Sequence, residues 1–392
     1  FGIPVPLETL PKLTAEAEAV VKEFNRICII KPQPLMSSRG TGTINEKFEG
    51  SIRQATDAEA ARKAAEKLLG HHLKASRSSE GEATINKLHV TEFIKSEAEW
   101  YLAITFDREN YCPTIIASKR GGANIETTIK QHPEDFHTFN FGFTKGITSE
   151  VVEKVSKCLD ASPKEAENLQ SILTRLYKIF TTKDAILLEI RSLARSSDGT
   201  LTCLDAKFTV DDAASKRQED IFSVRDTMHE IPEEIEAEKY GLVYVKMDGN
   251  IGNVVNGAGL AMATNDAIAL HGGTSANFLD AGGQATKDTM VKAFEIVLRD
   301  ERVKAILVNI YGGITRGDMI AESILGAAKE LGPLKVPIVV RLQGTNSELG
   351  LEILEGANLG LHTESDFGKA AEKVVELARN SARNARVSKR TT

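Results

Sequence analysis

The stretch from Leu242 to Met262, which reads LVYVKMDGNIGNVVNGAGLAM, constrains the fold more than any other part of the chain. An apolar strand runs to an Asp-Gly turn at Asp248, a loop rich in glycine and asparagine follows, and a helix begins at Leu260. Glycine permits the close backbone approach that a helix N-terminus needs in order to hold an anion. The stretch therefore predicts a strand, a glycine loop and a helix start that form an anion-binding corner.

Two later segments repeat this order. They read FLDAGGQAT over 278–286 and AILVNIYGGITRGDMI over 305–320. Three strand–glycine–helix units in one region predict a site for phosphate or carboxylate groups, although a single unit could be an ordinary βα turn. Strand character recurs from residue 240 onward and alternates with helical segments, at 242–247, 276–280, 304–311, 336–342 and 358–363. This alternation predicts a doubly wound parallel sheet.

Composition excludes several classes of protein. The 392 residues suffice for two or three domains, and the net charge of −6 gives no electrostatic argument for nucleic-acid binding. No apolar run has the length of a membrane span, so we expect no membrane partner. Cys28, Cys112, Cys158 and Cys203 stand far apart, which suits neither a zinc site nor a disulfide framework and indicates a reducing compartment. The start at Phe1 indicates a processed or trimmed N-terminus.

The first half reads as a mixed α and β region. Helices are predicted over 15–23, 57–74 and 149–181, and strands over 26–31, 87–94, 99–108, 113–122, 185–190 and 200–208. The last two strands predict a hairpin over the turn SSDG at 196–199, and the acidic segment 211–240 is typical of a domain linker. We predict domains at 1–235 and 236–380, with a basic, frayed tail at 381–392.

Four motifs in the second half carry a resemblance. They read DGNIGNVVNGAGLAMAT, NFLDAGG, ILVNIYGGI and VVRLQGTN, in this order between residues 248 and 346. They resemble the C-terminal domain of the β subunit of succinyl-CoA synthetase, also called succinate–CoA ligase. The order and spacing hold from about residue 240 to 380, and the rest of the chain resembles the same family more patchily. The resemblance implies an ATP-grasp-like α+β domain followed by a flavodoxin- or Rossmann-like CoA-ligase domain with a doubly wound parallel sheet.

The resemblance implies a succinate site in the second half. Asn256, Gly313, Ile314 and Thr315 match its positions. The loop 312–317 would feed a helix whose N-terminus faces a phosphohistidine carried by the family's α subunit, because the positive end of a helix favours phosphate. None of the eight histidines of this chain shows a pairing with a nucleophile, so we expect no catalytic residue here and a phosphohistidine on the α subunit.

The resemblance also implies a nucleotide site in the first half. Lys31 matches the strand-end lysine that holds nucleotide phosphates, and Ser38, Arg39 and Gly40 fall in the phosphate loop. The family's loop reads roughly Gly-Gly-Arg-Gly-Lys-Gly, whereas this chain has SSRGTG at 37–42. A serine at Ser37 or Ser38 forced to positive φ would cost about 1–2 kcal/mol. The lost lysine removes a charge-assisted phosphate contact of roughly 1.5–3 kcal/mol.

Carboxylates complete the implied nucleotide site. Glu92 and Glu99 match carboxylates near the nucleoside, and Asp205 matches one of two Mg²⁺ ligands. The family's second ligand is an asparagine followed by proline, and here these positions hold Arg191 and Ser192. A guanidinium has no lone pair to offer a metal. Held about 4 Å away, it would repel Mg²⁺ by roughly 8 kcal/mol at an effective dielectric constant of 20.

By resemblance, the chain is expected to be the β subunit of a succinate–CoA ligase. It would interconvert succinyl-CoA, phosphate and a nucleoside diphosphate with succinate, CoA and the triphosphate. The implied cofactors are ATP/ADP or GTP/GDP, CoA shared with the α subunit, and Mg²⁺, against which Arg191 argues. The implied partner is the α subunit, as a heterodimer or its dimer, in the mitochondrial matrix or a bacterial cytoplasm. A non-catalytic paralogue with a degraded nucleotide site, or a related acid–thiol ligase acting on malate or citrate, remain the alternatives.

Overall fold

The chain divides into two compact units, Phe1–Arg225 and Asp226–Thr392. The computed structural model describes residues 2–33, 43–44, 48–49, 52–74, 82–122, 124–227, 230–283, 286–331, 336–357 and 359–388. The phosphate loop predicted at 37–42, with Ser37, Ser38, Arg39 and Gly40, lies outside these residues. No helix within these ranges has both the length and the apolar character needed to cross a membrane.

The first part of unit 1 holds two small antiparallel sheets and two helices. Its elements are β1 (Glu8–Thr9), α1 (Thr14–Phe24), β2 (Cys28–Pro32), β3 (Thr43–Ile44), β4 (Phe48–Glu49), β5 (Arg53–Ala55), α2 (Ala58–Leu68), β6 (His72–Lys74), β7 (Glu82–Thr84) and β8 (Leu88–Glu92). The sheets have the strand orders β1–β8–β2–β5 and β4–β3–β6–β7. Small residues of α1 and α2, including Ala17, Ala61 and Ala65, are fully buried, so the two helices pack closely over the first sheet.

The helix predicted over 57–74 is too long. Asp57 caps its start by accepting a hydrogen bond from the Ala60 N–H at 2.8 Å. The helix ends at Leu68, because the next residue, Leu69, adopts extended backbone angles. His72–Lys74 then forms β6, which pairs with β7. Sheet pairing with a distant strand overrides the local helical pattern here.

The second part of unit 1 is one antiparallel sheet with helices on both faces. Its elements are β9 (Ala98–Asp107), β10 (Cys112–Ser118), α3 (Ile125–Gln131), β11 (His137–Asn140), α4 (Ser149–Cys158), α5 (Pro163–Thr182), β12 (Ala185–Arg195), β13 (Leu201–Val210) and α6 (Glu219–Phe222), with 3₁₀ turns at Pro133–Asp135 and Asp212–Ala214. The strand order is β11–β10–β9–β12–β13, and the predicted β12–β13 hairpin is confirmed. The core packs α4 and α5 on one face of the sheet, and a smaller cluster with Ile125 of α3 involves Tyr101 and Leu187.

The single helix predicted over 149–181 is two helices. The chain turns at Asp160, whose φ of 50° is left-handed, and α5 starts afresh at the cap Ser162. Ser162 and Glu165 form a reciprocal capping box, and Pro163 occupies the first helical position. The short segment SPKE therefore holds a helix start inside an otherwise continuous helical pattern.

Unit 2 is a doubly wound α/β domain. Its elements are α7 (Pro232–Lys239), β14 (Val243–Lys246), β15 (Ile251–Val255), α8 (Ala258–Leu270), β16 (Asn277–Asp280), α9 (Lys287–Arg299), β17 (Ala305–Gly312), α10 (Gly317–Leu331), β18 (Ile338–Gly344), α11 (Ser347–Gly356), β19 (His362–Thr363) and α12 (Phe367–Ser388). The strand order is β14–β16–β15–β17–β18–β19. From β16 to β19 the strands are parallel and follow the flavodoxin-like order 2-1-3-4-5. The fold class predicted from the sequence is confirmed.

Four details of unit 2 differ from the expectation. The glycine- and asparagine-rich loop expected after Asp248 is instead the buried strand β15, and Asn253 in its middle is 1% exposed. The preceding apolar segment forms β14, an antiparallel edge strand rather than a parallel one. Helix α7 lies within the segment expected to be a linker, and α12 continues to Ser388, into the segment expected to be a frayed tail.

Buried amides help to explain why a segment with a glycine and an asparagine at its centre becomes the buried strand β15. The Asn253 N–H donates to Asn277 Oδ1 at 3.0 Å, and the Asn253 side-chain amide donates to the Asn277 carbonyl at 3.0 Å. Asn277 donates in return to the Asn253 carbonyl at 2.9 Å. Because buried polar groups must find partners, this mutual pairing joins β15 to β16 where only one residue pair of regular ladder exists.

Candidate functional site

Three loops of unit 2 meet at the carboxyl edge of the parallel sheet. They follow β15, β16 and β17, which are neighbours in the sheet, so their carboxyl ends share one edge. Asn256, in the first loop, donates through its side-chain amide to the Tyr311 carbonyl at 2.9 Å. Its Oδ1 accepts from the Tyr311 N–H at 2.8 Å. Asn256 thus fixes the first loop against the start of the third.

The middle loop is joined to the other two. Asp280 Oδ1 accepts from the Gly257 N–H at 2.6 Å and from the Gly282 N–H at 2.7 Å. Thr315 donates through its hydroxyl to the Gly283 carbonyl at 3.0 Å. Asp280 was missed by the sequence analysis, although its place between a strand and a Gly-Gly pair was the available signal. A carboxylate that accepts two backbone N–H groups fixes the direction in which the glycine loops leave the sheet.

Residues 313–315 differ in their exposure to solvent. Ile314 is 77% exposed, and no atom of the described residues lies within 4 Å of the position that a Cβ on Gly313 would take. Thr315 is buried through its bond to the middle loop. The structure brings the predicted residues Asn256, Gly313, Ile314 and Thr315 into the same corner, with open space over Gly313. A small anion such as a carboxylate could approach the backbone there.

Helix α10 begins directly after this corner. Arg316 Nε donates to Asp318 Oδ1 at 3.0 Å, and a second contact joins the same two side chains. The hydrogen bonds from Arg316 lower the pKa of Asp318 to about 2. The first turn of α10 therefore carries its own ion pair, and the guanidinium of Arg316 is more than half exposed to solvent.

In unit 1, Lys31 reaches the β12–β13 hairpin. Its Nζ donates to the Leu204 carbonyl at 3.1 Å, and Asp205 is the next residue along β13. Asp205 lies opposite Ser192 of β12 in the ladder. The structure therefore places the backbone next to Asp205 close to the Lys31 ammonium.

The two predicted nucleoside carboxylates lie in different surroundings. Glu99 accepts a hydrogen bond from the Ser192 hydroxyl at 2.6 Å, which brings it to the same hairpin. Glu92 forms an ion pair with Arg26 and lies beside Cys28, three residues from Lys31 along β2. That separation corresponds to about 10 Å along a strand, so Glu92 and Lys31 are not adjacent.

Arg191 lies in a bulge of β12. The ladder to β13 breaks register between Ile190 and Ser192, and the ladder to β9 breaks between Ile190 and Leu193. The extra residue turns the local backbone, as bulges do. The Gly122 N–H donates to the Arg191 carbonyl at 2.7 Å, so the loop before α3 is fastened to the bulge. A Cβ on Gly121 would lie 2.5 Å from the Trp100 carbonyl oxygen, so only glycine fits at that position.

The Arg191 side chain is buried among carboxylates. The residue is 8% exposed, Nε donates to Glu189 Oε2 at 3.3 Å and Nη2 donates to Glu126 Oε1 at 2.6 Å. Tyr101 donates to the other Glu189 oxygen at 2.9 Å. Burial by itself lowers the pKa of Arg191, but the carboxylates of Glu126 and Glu189 outweigh it and the net shift is upward. Arg191 is thus a permanent cation within this cluster.

A Mg²⁺ site with ligands from both positions does not fit these residues. Asp205 supplies a carboxylate, but the position implied for the second ligand holds a guanidinium that is tied to two carboxylates and cannot ligate a metal. Among the described residues, the histidine, cysteine, aspartate and glutamate side chains close enough to hold an ion as a group of three are His132, Glu134 and Asp135, at the surface. We therefore derive no reaction step through a metal.

Family comparisons cover both units. The ATP-grasp domain family matches residues 1–195, and the CoA-ligase family matches residues 254–375. The chain is 40% identical over 380 residues to the mitochondrial ADP-forming succinate–CoA ligase subunit β of Neurospora crassa, covering 97% of this chain and 85% of that protein. It is 40% identical over 362 residues to the mitochondrial GDP-forming subunit β of Dictyostelium discoideum, covering 92% and 86%.

A solved structure supports the fold over the whole length. The ATP citrate lyase from Methanothrix soehngenii, in complex with citrate and coenzyme A, superposes with a TM-score of 0.74. The match covers 95% of this chain and 92% of that one at 18% sequence identity. At this identity the similarity concerns the fold alone, and it gives no reason to prefer citrate as a substrate.

Proposed function

The chain belongs to the family of succinate–CoA ligase β subunits, and from this premise we propose how its two units take part in the reaction. The reaction interconverts succinyl-CoA, phosphate and a nucleoside diphosphate with succinate, CoA and the triphosphate. The observation that carries the proposal is a match over 97% of the chain, which includes both the ATP-grasp and the CoA-ligase region. The match favours a ligase over a non-catalytic paralogue, because the relatives named as ligases align across both regions.

We assign the acid and its phosphoryl chemistry to unit 2. Succinate would bind at the corner formed by Asn256, Gly313, Ile314 and Thr315, where loop contacts hold the backbone in place and Gly313 is open. A partner's phosphohistidine would approach the N-terminus of α10, whose dipole favours phosphate. This chain would position the reacting groups, while the α subunit would supply the histidine and share CoA.

We assign the nucleotide to unit 1. Lys31 would hold phosphate together with Ser38, Arg39 and Gly40 of the loop at 37–42, and Glu92 and Glu99 would face the nucleoside. The hydrogen bond from Lys31 to the Leu204 carbonyl supports this role, because it brings the ammonium group to the hairpin that carries Asp205. Nucleotide use also agrees with relatives that are named ADP-forming and GDP-forming.

The proposed assembly is a heterodimer with an α subunit, or a dimer of that heterodimer, in an organellar matrix. The relatives are named mitochondrial or hydrogenosomal, which supports this compartment. Gel filtration of the chain mixed with an α subunit from the same source is expected to give a joint peak. A chain that elutes alone in the presence of that subunit would contradict the pairing.

Labelling of the α subunit tests the proposed reaction. The chain and the α subunit are incubated with Mg²⁺ and γ-labelled ATP or GTP, and the label is expected on a histidine, labile to acid and stable to base. The nucleotide that labels faster is the preferred one. Failure of both nucleotides to label an α subunit that co-elutes with this chain would refute the reaction.

The Asn256→Ala variant distinguishes the proposed role of unit 2 from that of unit 1 in the same assay. Labelling by the nucleotide should persist, whereas discharge of the label by succinate and CoA should slow by about tenfold. The reason is that the backbone of Tyr311, at the end of β17, loses both hydrogen bonds to the Asn256 side chain. The matched control is Asn110→Ala, in a surface turn of unit 1. Equal discharge rates in both variants would remove Asn256 from the succinate site.

A further inference from the structure

We propose that Arg191 is the fixed cation of the nucleotide site in this chain, and that a phosphate of the nucleotide replaces Glu126 on its guanidinium. The guanidinium would then supply the positive charge that a divalent ion shared between two protein ligands supplies in the family. This inference rests on the proposed binding of a nucleotide by unit 1, and it specifies how that site recognises phosphate.

The position of Arg191 is the first argument. Ile190 and Leu193 of β12 belong to the core under α4 and α5, whereas Arg191 meets Glu126 of α3, on the other side of the strand. Ser192, directly after Arg191, bonds to Glu99 and lies opposite Asp205. Asp205 is also close enough to act on Arg191 electrostatically. The bulge that carries Arg191 therefore also carries the contact to Glu99 and the pairing with Asp205.

The two carboxylates on Arg191 differ in burial, although the contact to Glu126, at 2.6 Å, is shorter than the contact to Glu189, at 3.3 Å. Glu189 has a side chain that is 9% exposed, and it also accepts a hydrogen bond from Tyr101. Glu126 has a side chain that is 57% exposed and makes its contact from the first turn of α3. An exposed carboxylate is screened by water and exchanges readily, whereas a buried and doubly bonded one does not. Glu189 thus holds Arg191 in place, and Glu126 is the partner that a ligand can displace.

The chemistry of the guanidinium is the second argument. Its planar array of N–H donors matches two oxygens of a phosphate, and it stays charged at any physiological pH. It cannot ligate Mg²⁺, and it repels an ion placed beside Asp205. A phosphate arriving at the cluster therefore finds a preorganised cation already held by Glu189, without recruitment of a metal to that position.

Calorimetric titration with the diphosphate of the preferred nucleotide tests the proposal on the complex with the α subunit. The wild-type protein is expected to bind with affinities that agree within about threefold in excess EDTA and in excess Mg²⁺. Arg191→Asn should weaken binding by more than about tenfold in EDTA and regain it in Mg²⁺, because a phosphate contact is lost and a metal ligand is restored. Glu126→Gln should tighten binding in EDTA by about threefold, because it frees the guanidinium.

Two further variants control for folding and for net charge. Arg217→Asn removes an exposed arginine of the same unit, paired with Asp184, and should leave both affinities unchanged. Arg191→Lys keeps the charge but loses the planar donor array, so binding should weaken by about threefold to tenfold and stay insensitive to Mg²⁺. Should Arg191→Asn fail to fold, as judged by its circular dichroism and thermal transition, Arg191→Lys and Glu126→Gln decide the test.

The proposal is overturned if wild-type binding in EDTA is more than about tenfold weaker than in Mg²⁺, or if Glu126→Gln weakens binding. Bound Mn²⁺ detected by electron paramagnetic resonance in the wild-type nucleotide complex, with the metal required for affinity, would overturn it as well. In each of these cases the α subunit would still be labelled in Mg²⁺. Failure of this inference is thereby distinguishable from failure of the proposed reaction.

Discussion

The corner of unit 2 and the bulge of unit 1 differ in the chemical groups that form them. In the corner, neutral side chains and Asp280 bond to backbone groups of the neighbouring loops, as Asn256 does with Tyr311. In the bulge, the charged side chains of Arg191, Glu189 and Glu126 bond to one another. A site made largely by the backbone keeps its properties as long as the loops keep their shape, whereas one substitution can reverse the charge of a side-chain site.

The largest expected effect comes from a substitution in the corner of unit 2, which is formed mainly by backbone groups. Gly344 has a φ of +86°, and a Cβ there would lie 2.1 Å from the Gly312 carbonyl oxygen, at the base of the corner. Gly344→Ala combines left-handed strain with a backbone clash, so we expect a loss of about 4 kcal/mol in stability. Differential scanning calorimetry should show the loss as a lower transition temperature, and discharge of the α-subunit label by succinate should slow.

Gly356→Ala is the matched control in the same unit. No atom of the described residues lies within 4 Å of the position that its Cβ would take, and its φ is not positive. Its transition temperature should therefore stay at or above that of the wild type. If Gly344→Ala behaves like this control, the loop after β18 does not depend on the close approach to Gly312.

The next-largest effect concerns the charged side chains at the bulge of unit 1. Arg191→Ala leaves the buried carboxylate of Glu189 without its cation, and we expect a loss of about 3 kcal/mol in stability. Adding Glu189→Gln should recover much of that loss, because the neutral amide tolerates burial better than an unpaired charge. Urea unfolding of the single and double variants measures the coupling.

The same double-mutant cycle, with Glu126→Gln in place of Glu189→Gln, provides the contrast. Glu126 is exposed, so its coupling to Arg191 should be no more than about 1 kcal/mol. Equal coupling energies for Glu189 and Glu126 would show that Glu126 is not the exchangeable partner, and would weaken the role given to it in phosphate binding.

The smallest effect concerns pH and the ion pair at the start of α10. The pKa of Asp318 is about 2, below the ordinary value of 3.8, because Arg316 donates hydrogen bonds to it. A depressed acid pKa stabilises the folded state above the unfolded value, and the contribution disappears as pH falls from about 4 to about 2. Asp318→Asn should flatten the dependence of the thermal transition on pH in this window and leave its dependence above about pH 5 unchanged.

Arg316→Gln tests the cause of that pH dependence. Without its cation, Asp318 should titrate near its ordinary pKa, so part of the acid-range dependence should disappear although the carboxyl group remains. A slope identical to wild type in both variants would mean that the ion pair makes no contribution to stability at the start of the helix.

The sequence predicted the corner of unit 2 well, because its information is local. Glycines that follow strands predict turns, and long motifs such as NGAGLAM and YGGITRGD keep the spacing of the family's motifs. The central strand β15 was still missed, because Asn253 and the glycine before it suggest a loop. Its parallel ladder with β17 and its mutual pairing with Asn277, 24 residues away, make the segment a strand.

Unit 1 was harder to predict for the same physical reason. The residue types at Lys31, Glu99, Asp205 and Arg191 were visible, but their partners were not. No local pattern shows that Ser192 bonds to Glu99, or that Glu126 reaches the guanidinium from α3 across 65 positions of chain. The break at Asp160 was missed because helical periodicity continues on both sides of it. The end of α2 before Leu69 was missed because the following residues become strand β6 only through pairing with β3 and β7.

The sequence by itself determined the class of each unit and the family, since alternating patterns and glycine motifs are properties of neighbouring residues. Tertiary structure decided which side chains are charged and buried together. It brought Arg191 into contact with a buried carboxylate, Glu189, and an exposed one, Glu126, and it joined three glycine loops into one corner. Such contacts depend on burial and on hydrogen bonds between distant residues, and these exist only once the strands have paired.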